Sequence, residues 1–143
     1  MAITSAICNS FKQEILEAEH NFTASTGDTF NLALYDSDAT LNKSTTAYTT
    51  SEELATTGGY TAKGKALTSV TPVLDSDTAV CDFANTSWTS ASFTARGCLI
   101  FNDDNSDTSV CAIDFGGDKT VTSGTFTIEF PAVAASTAII QLA

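Results

Sequence analysis

The residues with the most evident chemical potential lie in Asn102-Asp-Asp-Asn-Ser-Asp107. Asp103, Asn105 and Asp107 stand at the alternate spacing that wraps oxygen ligands around calcium, and Asp114 falls where a last ligand would sit. The sixth position, however, is Thr108 where such loops carry Gly, and strand-like sequence follows where a helix would be needed. The run is therefore read first as the polar tip of a hairpin, and only second as a sandwich-edge calcium site. Asp82, Asp114 and Glu129 lie on strand-like runs and are the carboxylates from which a glycoside-hydrolysing pair would be drawn. Acids at such positions more simply face water. The single histidine, His20, has neither a second histidine nor a nucleophile-elbow Ser or Cys to work with, so a hydrolase triad has nothing to assemble from. It is read instead as a partner for the negative end of a preceding helix.

Other patterns carry less. Asp114-Phe-Gly matches the magnesium-binding tripeptide of kinases, but the chain is far too short and lacks that fold's Gly-rich and catalytic loops. Cys8, Cys81, Cys98 and Cys111 form no Cys-x-x-Cys pair, which argues against zinc. Cys81, Cys98 and Cys111 sit in apolar runs and read as small buried hydrophobes. A bridge between Cys98 and Cys111 across a hairpin stays open. Trp88, Tyr48 and Tyr60 are an aromatic set of the kind that platforms a sugar, although a lone Trp beside a strand is more often core. No catalytic residue, cofactor site or resident metal is assigned, and the chain is not expected to be an enzyme.

The elements that would position these residues are mostly strands. Thr125–Phe130 alternates, with Phe126, Ile128 and Phe130 on one face and Thr125, Thr127 and Glu129 on the other. Phe93–Asn102 and Val110–Phe115 flank the Asn/Asp turn and predict an antiparallel hairpin. Thr29–Tyr35 alternates in the same way, with Phe30, Leu32 and Leu34 inward and Asn31, Ala33 and Tyr35 outward. Ala66–Leu74 holds Pro72, which predicts an edge strand or a bulge. Asp75-Ser-Asp77 turns into Thr78–Phe83, and Ala138–Leu142 closes the set. Residues 3–22 carry Ile3, Ile7, Phe11, Ile15, Ala18 and Phe22 at helical spacing, predicting an N-terminal amphipathic helix with a possible break near Asn9. Residues 36–64 read as a long polar loop with one capped helical turn at Thr50-Ser-Glu-Glu53. The whole is a single domain over 1–143: a mainly β, antiparallel β-sandwich, jelly-roll or immunoglobulin-like, with an N-terminal helix or arm over 1–22.

Composition bounds the partners. The net charge is −11, from 17 acidic residues against six Lys plus Arg. Such a surface repels phosphate backbones and anionic lipid, so neither nucleic acid nor membrane is an expected partner. The first residues show no basic and apolar leader, which points to synthesis and folding in a reducing cytosol. Ile3, Ile7, Phe11 and Ile15 on the helix stripe, with Tyr48 and Tyr60 in the long loop, are the candidate assembly contacts.

Several stretches resemble small structural proteins of tailed bacteriophages, marine and cyanobacterial ones among them. They are the opening Met-Ala-Ile-Thr-Ser-Ala-Ile-Cys-Asn-Ser-Phe-Lys-Gln-Glu-Ile-Leu, Thr-Phe-Asn-Leu-Ala-Leu-Tyr, Gly-Gly-Tyr-Thr-Ala-Lys-Gly, Ala-Arg-Gly-Cys-Leu-Ile-Phe-Asn and Ala-Ile-Asp-Phe-Gly-Gly-Asp. The resemblance spans nearly the whole chain and rests on fold and turn residues. It implies a virion structural protein, assembled in the host cytoplasm. The leading role is a capsid decoration (cement) protein on the outer surface, with a tail, baseplate or receptor-binding component as the alternative. The implied partner is the major capsid protein of the same particle, and the implied state a homo-oligomer, a trimer on a local threefold.

Overall fold

Alternating apolar residues build two antiparallel sheets in the computed structural model, which describes residues 2–143. The larger sheet contains β1 (Ala6–Ile7), β2 (Phe30–Tyr35), β3 (Lys65–Ala66), β6 (Thr86–Asn102) and β7 (Thr108–Ile128), in the order β1-β7-β6-β2-β3. The smaller contains β4 (Ser69–Asp75), β5 (Thr78–Phe83) and β8 (Ile140–Leu142), in the order β4-β5-β8. Cys81 and Phe83 of the small sheet meet Phe30, Leu32, Leu34, Cys98 and Ile100 of the large one in a shared core. The chain is thus an antiparallel β-sandwich. Phe22 stacks on Phe30 with ring centroids 4.2 Å apart, and Phe83 joins them, so aromatic rings fill the space between the sheets.

The predicted hairpin forms and is longer than its apolar runs. Asn102 pairs with Thr108 at its tip and Thr86 with Ile128 at its far end. The tip suits its residues: the Asn102 side chain accepts the Asp104 N–H, while Ser106 and Asp107 adopt positive φ. Farther along, Gly97 pairs with Asp114 but Ala95 with Lys119, so Phe115–Asp118 bulge out of the ladder. Beyond that bulge β7 has β6 on one side, and no strand among the described residues pairs with its other edge. Pro72 behaves as expected: β4 is an edge strand, and its register shifts between Val70 and Val73.

Two expectations need correction. The helix α1 covers only Asn9–Leu16, beginning where the break near Asn9 was foreseen. Ile3 instead bridges to Leu41, and Ala6–Ile7 pair with Cys111–Ala112. Ile3 is extended because tertiary packing outweighs its helical spacing: it lies against Gly97, where a Cβ would come within 2.7 Å of its Cδ1. The second correction concerns residues 36–64. They form no capped helical turn and do not project as a free loop. Ala39, Leu41 and Tyr48 pack with Ile3 over Ala33, Tyr35, Leu99, Phe101 and Ala112, the outward face of the large sheet. Around β2 and its neighbours the sheet is therefore apolar and covered on both faces, and Ala33 and Tyr35, expected outward, are fully buried.

Candidate functional site

Four polar arrangements bring together the residues able to do chemistry, and each is largely occupied by its own chain. The first surrounds His20, which is buried among Phe11, Phe22 and Phe30. Asn102 Nδ2 reaches both His20 Nδ1, at 3.1 Å, and Asp28 Oδ2, at 2.8 Å. An amide nitrogen can only donate, so Nδ1 accepts and the proton lies on Nε2, which donates to Glu14 Oε2 at 2.7 Å. Both ring nitrogens are engaged and no nucleophile adjoins them. The ring ties α1 to the hairpin tip; Glu14, three residues before the C-cap, takes the place expected for the helix end.

The second is the hairpin tip. The Lys63 ammonium sits 2.9 Å from Asp103 Oδ1 and 2.9 Å from Asp107 Oδ1. An internal cation thus holds the two aspartates whose spacing suggested calcium. Asn105 turns away, donating to the Glu19 carbonyl and carboxylate, and Asp114 pairs with Arg96 Nε at 2.9 Å. The Arg96 guanidinium and the Gly116 N–H hold the Asp114 carboxyl below its ordinary range. The four residues do not converge on one point. Nothing local marks Lys63 as the counterion, which lies 40 residues before Asp103.

The third arrangement centres on Glu53, a residue that sequence reasoning had assigned to a helical turn. Its carboxylate accepts the Tyr48 and Tyr60 hydroxyls and the Lys63 N–H. Tyr60, at 2% exposure, also accepts the Leu34 N–H at 3.0 Å, while the Tyr35 hydroxyl donates to the Thr49 carbonyl. Burial first, then the Glu53 carboxylate, raises the Tyr48 phenol to about 12 and pushes Tyr60 up further. These tyrosines fasten the 36–64 cover to β2 and present no sugar platform. Of the proposed assembly residues, Ile3, Phe11 and Tyr60 are buried within their own subunit, and Ile7, Ile15 and Tyr48 are half-buried against its cores. The first three are thus covered by intramolecular packing, while the other three keep part of their surface exposed.

The fourth is carboxylate-rich. Asp36, Asp38 and Glu52 present oxygens within 4.8 Å of one another at the surface, the one such triple among the described residues. Asp36 Oδ1 accepts the Asp38 N–H, which shapes this turn. Asp82, by contrast, is fully buried on the small sheet, one oxygen accepting the Phe83 N–H and the other unpartnered. Burial raises its pKa. With Asp82 on β5, Asp114 paired to Arg96 on β7 and Glu129 exposed just beyond β7, the three candidate acids sit in separate settings.

All four cysteines are free and buried. Cys98 pairs with Ile113 and Cys111 with Ile100, so the two thiols are diagonal across the hairpin rather than opposite. Diagonal neighbours stand about 7–8 Å apart, beyond the reach of a disulfide. An apolar concavity, an open groove of ≈ 500 Å³, lies beneath the free part of β7. Ile113, Phe115, Phe126, Ile128, Phe130 and Ile139 line it, with Lys119 and Glu129 also at its walls. Comparison with protein-family models, curated proteins and solved structures gives no match to this chain.

Proposed function

We propose that this chain is a non-catalytic structural protein of a virus particle, a decoration protein seated on the outer face of a capsid shell. The observation that carries the reading is the internal engagement of its reactive side chains. His20 is held at both nitrogens, Asp103 and Asp107 by one lysine, Tyr48 and Tyr60 by Glu53, and the thiols lie in the core. A rigid, acidic sandwich whose outward strands carry hydroxyls suits a particle surface, where many identical weak contacts sum to firm attachment. The resemblance of its strand and turn segments to tailed-phage structural proteins supports the same reading. The partner is then the major capsid protein, and the contact surface is drawn from exposed residues, because the helix stripe and Tyr60 serve the subunit's own core.

Quantitative mass spectrometry of purified particles tests this directly. A copy number equal to, or a simple fraction of, that of the major shell subunit is the expected result. A handful of copies per particle would move the chain to the tail or baseplate. Recovery only as free protein in the lysate would overturn a virion role.

A further inference from the structure

We propose that the C-terminal strap, residues 131–142, is held in place by a proton on Asp82, and that ionisation of this carboxyl lifts the strap and widens the groove beside it. The placement of Asp82 supplies the first argument. Cys81 and Phe83 point into the core between the sheets, so the strand pleat turns Asp82 to the opposite face of β5, the face that also carries Val80. Both residues are fully buried there. Asp82 Oδ1 accepts the Phe83 N–H at 2.9 Å, while Oδ2 is sealed from water and meets no donor. A negative charge in that position is strongly disfavoured, and a neutral carboxyl far less so.

The path of the strap explains why it would respond. The Phe130 N–H donates to Asn85 Oδ1, just past β5, and the Ala135 N–H to Asp75 Oδ2, at the end of β4. The chain turns back where the Ala138 N–H donates to the Ala134 carbonyl, and by Ile140 it runs along the other edge of β5, opposite Cys81. This return brings the Ile139 N–H to the Asp82 carboxylate, without closing a hydrogen bond to Oδ2. The strap is lightly held. Three residue pairs join β8 to β5, and Ala138 is the one buried residue among 131–143. On its other side Asp82 is closed in by β4, which is tied to β5 by a tight turn and a longer ladder. Lifting the strap is therefore the easiest way for water to reach Oδ2.

Charge gives the device its direction. β4, β5 and residues 131–143 carry no Lys, Arg or His, so no cation on these elements offsets an ionised Asp82. Their other titratable side chains are Cys81 and Asp75, and Asp77 lies in the turn between the strands. The 21–28 loop, which meets β4 where the Ala24 N–H donates to Thr71, adds only Asp28, another acid. Burial raises the Asp82 pKa against the opposing pull of the Phe83 and Ile139 N–H groups. A carboxyl raised in this way stabilises the docked strap in full below its ordinary value of 3.8, and that hold is lost as pH rises through the docked value. Pro131 and Ile139 line the apolar groove beneath β7, so a lifted strap takes one wall of it away. The device belongs to the chain itself and does not depend on the virion reading.

Nuclear magnetic resonance of the full chain tests it. The Asp82 carboxyl carbon should titrate above the ordinary carboxylate range, and the Ile139 and Ile140 amide shifts should follow the same midpoint. Between about pH 4.5 and 7.5, amide protection across β8, corrected for intrinsic exchange, should fall by about tenfold, the change that one unit of raised pKa confers. Protection at Leu34 and Ile100, deep in the large sheet, should stay level. Asp82→Asn, a neutral isostere that keeps the acceptor for the Phe83 N–H, should hold β8 at its low-pH protection throughout. The wild-type titration decides the matter by itself should that variant fold poorly. An Asp82 that titrates at or below the ordinary value would overturn the proposal. So would β8 protection that is level with pH, a fall that persists in Asp82→Asn, or one shared equally by Leu34 and Ile100.

Discussion

Raising the pH above 9 should markedly destabilise this protein. The cause is its four buried thiols. Burial lifts Cys81 and Cys111 from an ordinary value of 9.0 to about 12, and lifts Cys98 well above 9.0. A thiol whose folded pKa is raised stabilises the fold in full below the unfolded value, and loses that contribution as pH rises toward the folded one. The unfolded chain ionises its cysteines from pH 9 upward, while the folded chain keeps them protonated. At pH 10 the difference is on the order of 1 kcal/mol for each of Cys81 and Cys111, hence roughly 2–3 kcal/mol for the two, and Cys98 adds to it in the same direction. Against a typical stability of about 5–15 kcal/mol, that is a large share. Tyr48, raised to about 12, adds to the loss above pH 10 by the same reasoning. Urea unfolding at pH 7, 9 and 10, with reductant present, reads the loss directly. Cys81→Ala should remove about a quarter to a third of the pH-dependent part. A stability that stays level between pH 8 and 10 would refute the reasoning, as would native thiols reacting at pH 8 as fast as those of the urea-unfolded chain.

Three further perturbations follow from the polar network and the packing. Tyr60→Phe removes the hydroxyl that receives the fully buried Leu34 N–H and donates to Glu53. It should lower stability by about 3 kcal/mol in urea titration, combining an unsatisfied buried donor with the loss of a charged hydrogen bond. Lys63→Met removes the clamp on Asp103 and Asp107, but those groups meet water, so thermal unfolding should register less than about 1 kcal/mol. Gly97→Ala places a Cβ 2.5 Å from the Ile113 carbonyl and 2.7 Å from Ile3, so Ile3 must leave its seat. Faster amide exchange at Thr4 and Leu41, whose N–H groups now join the N-terminal segment to the cover, should report that displacement.

The sequence revealed the sandwich because its strands advertise themselves by period two. Phe30, Leu32 and Leu34 need only local alternation to be placed, and Pro72 announces its bulge. Ile3 misled because helical spacing is blind to a distant Gly97 that leaves room for an extended segment. Residues 36–64 misled for another reason: Ala39, Leu41 and Tyr48 are too sparse and irregular to show periodicity, yet together they cover a sheet face. The polar networks were the least visible. Asp103 and Asp107 have a readable spacing, but their counterion Lys63 and the contact of His20 with Asn102, 82 residues away, exist only in three dimensions. Residue type marked which groups were able to react, and the fold determined that they hold one another.

The double covering of the large sheet has a consequence for how the chain is made. β2 ends at Tyr35, yet its principal partner is Gly97–Asn102 of β6, and the layer above it needs Ala112 as well. A ribosome adding roughly 5–20 residues per second takes several seconds to cross that gap. Throughout that interval Phe30, Leu32, Leu34 and Tyr35 have emerged, or are emerging, without the strand that will shelter them. The nascent chain should therefore expose these side chains to chaperones until the hairpin appears, and bury them abruptly once it does. A single late step, instead of gradual growth from the N-terminus, would then govern its yield in the cell.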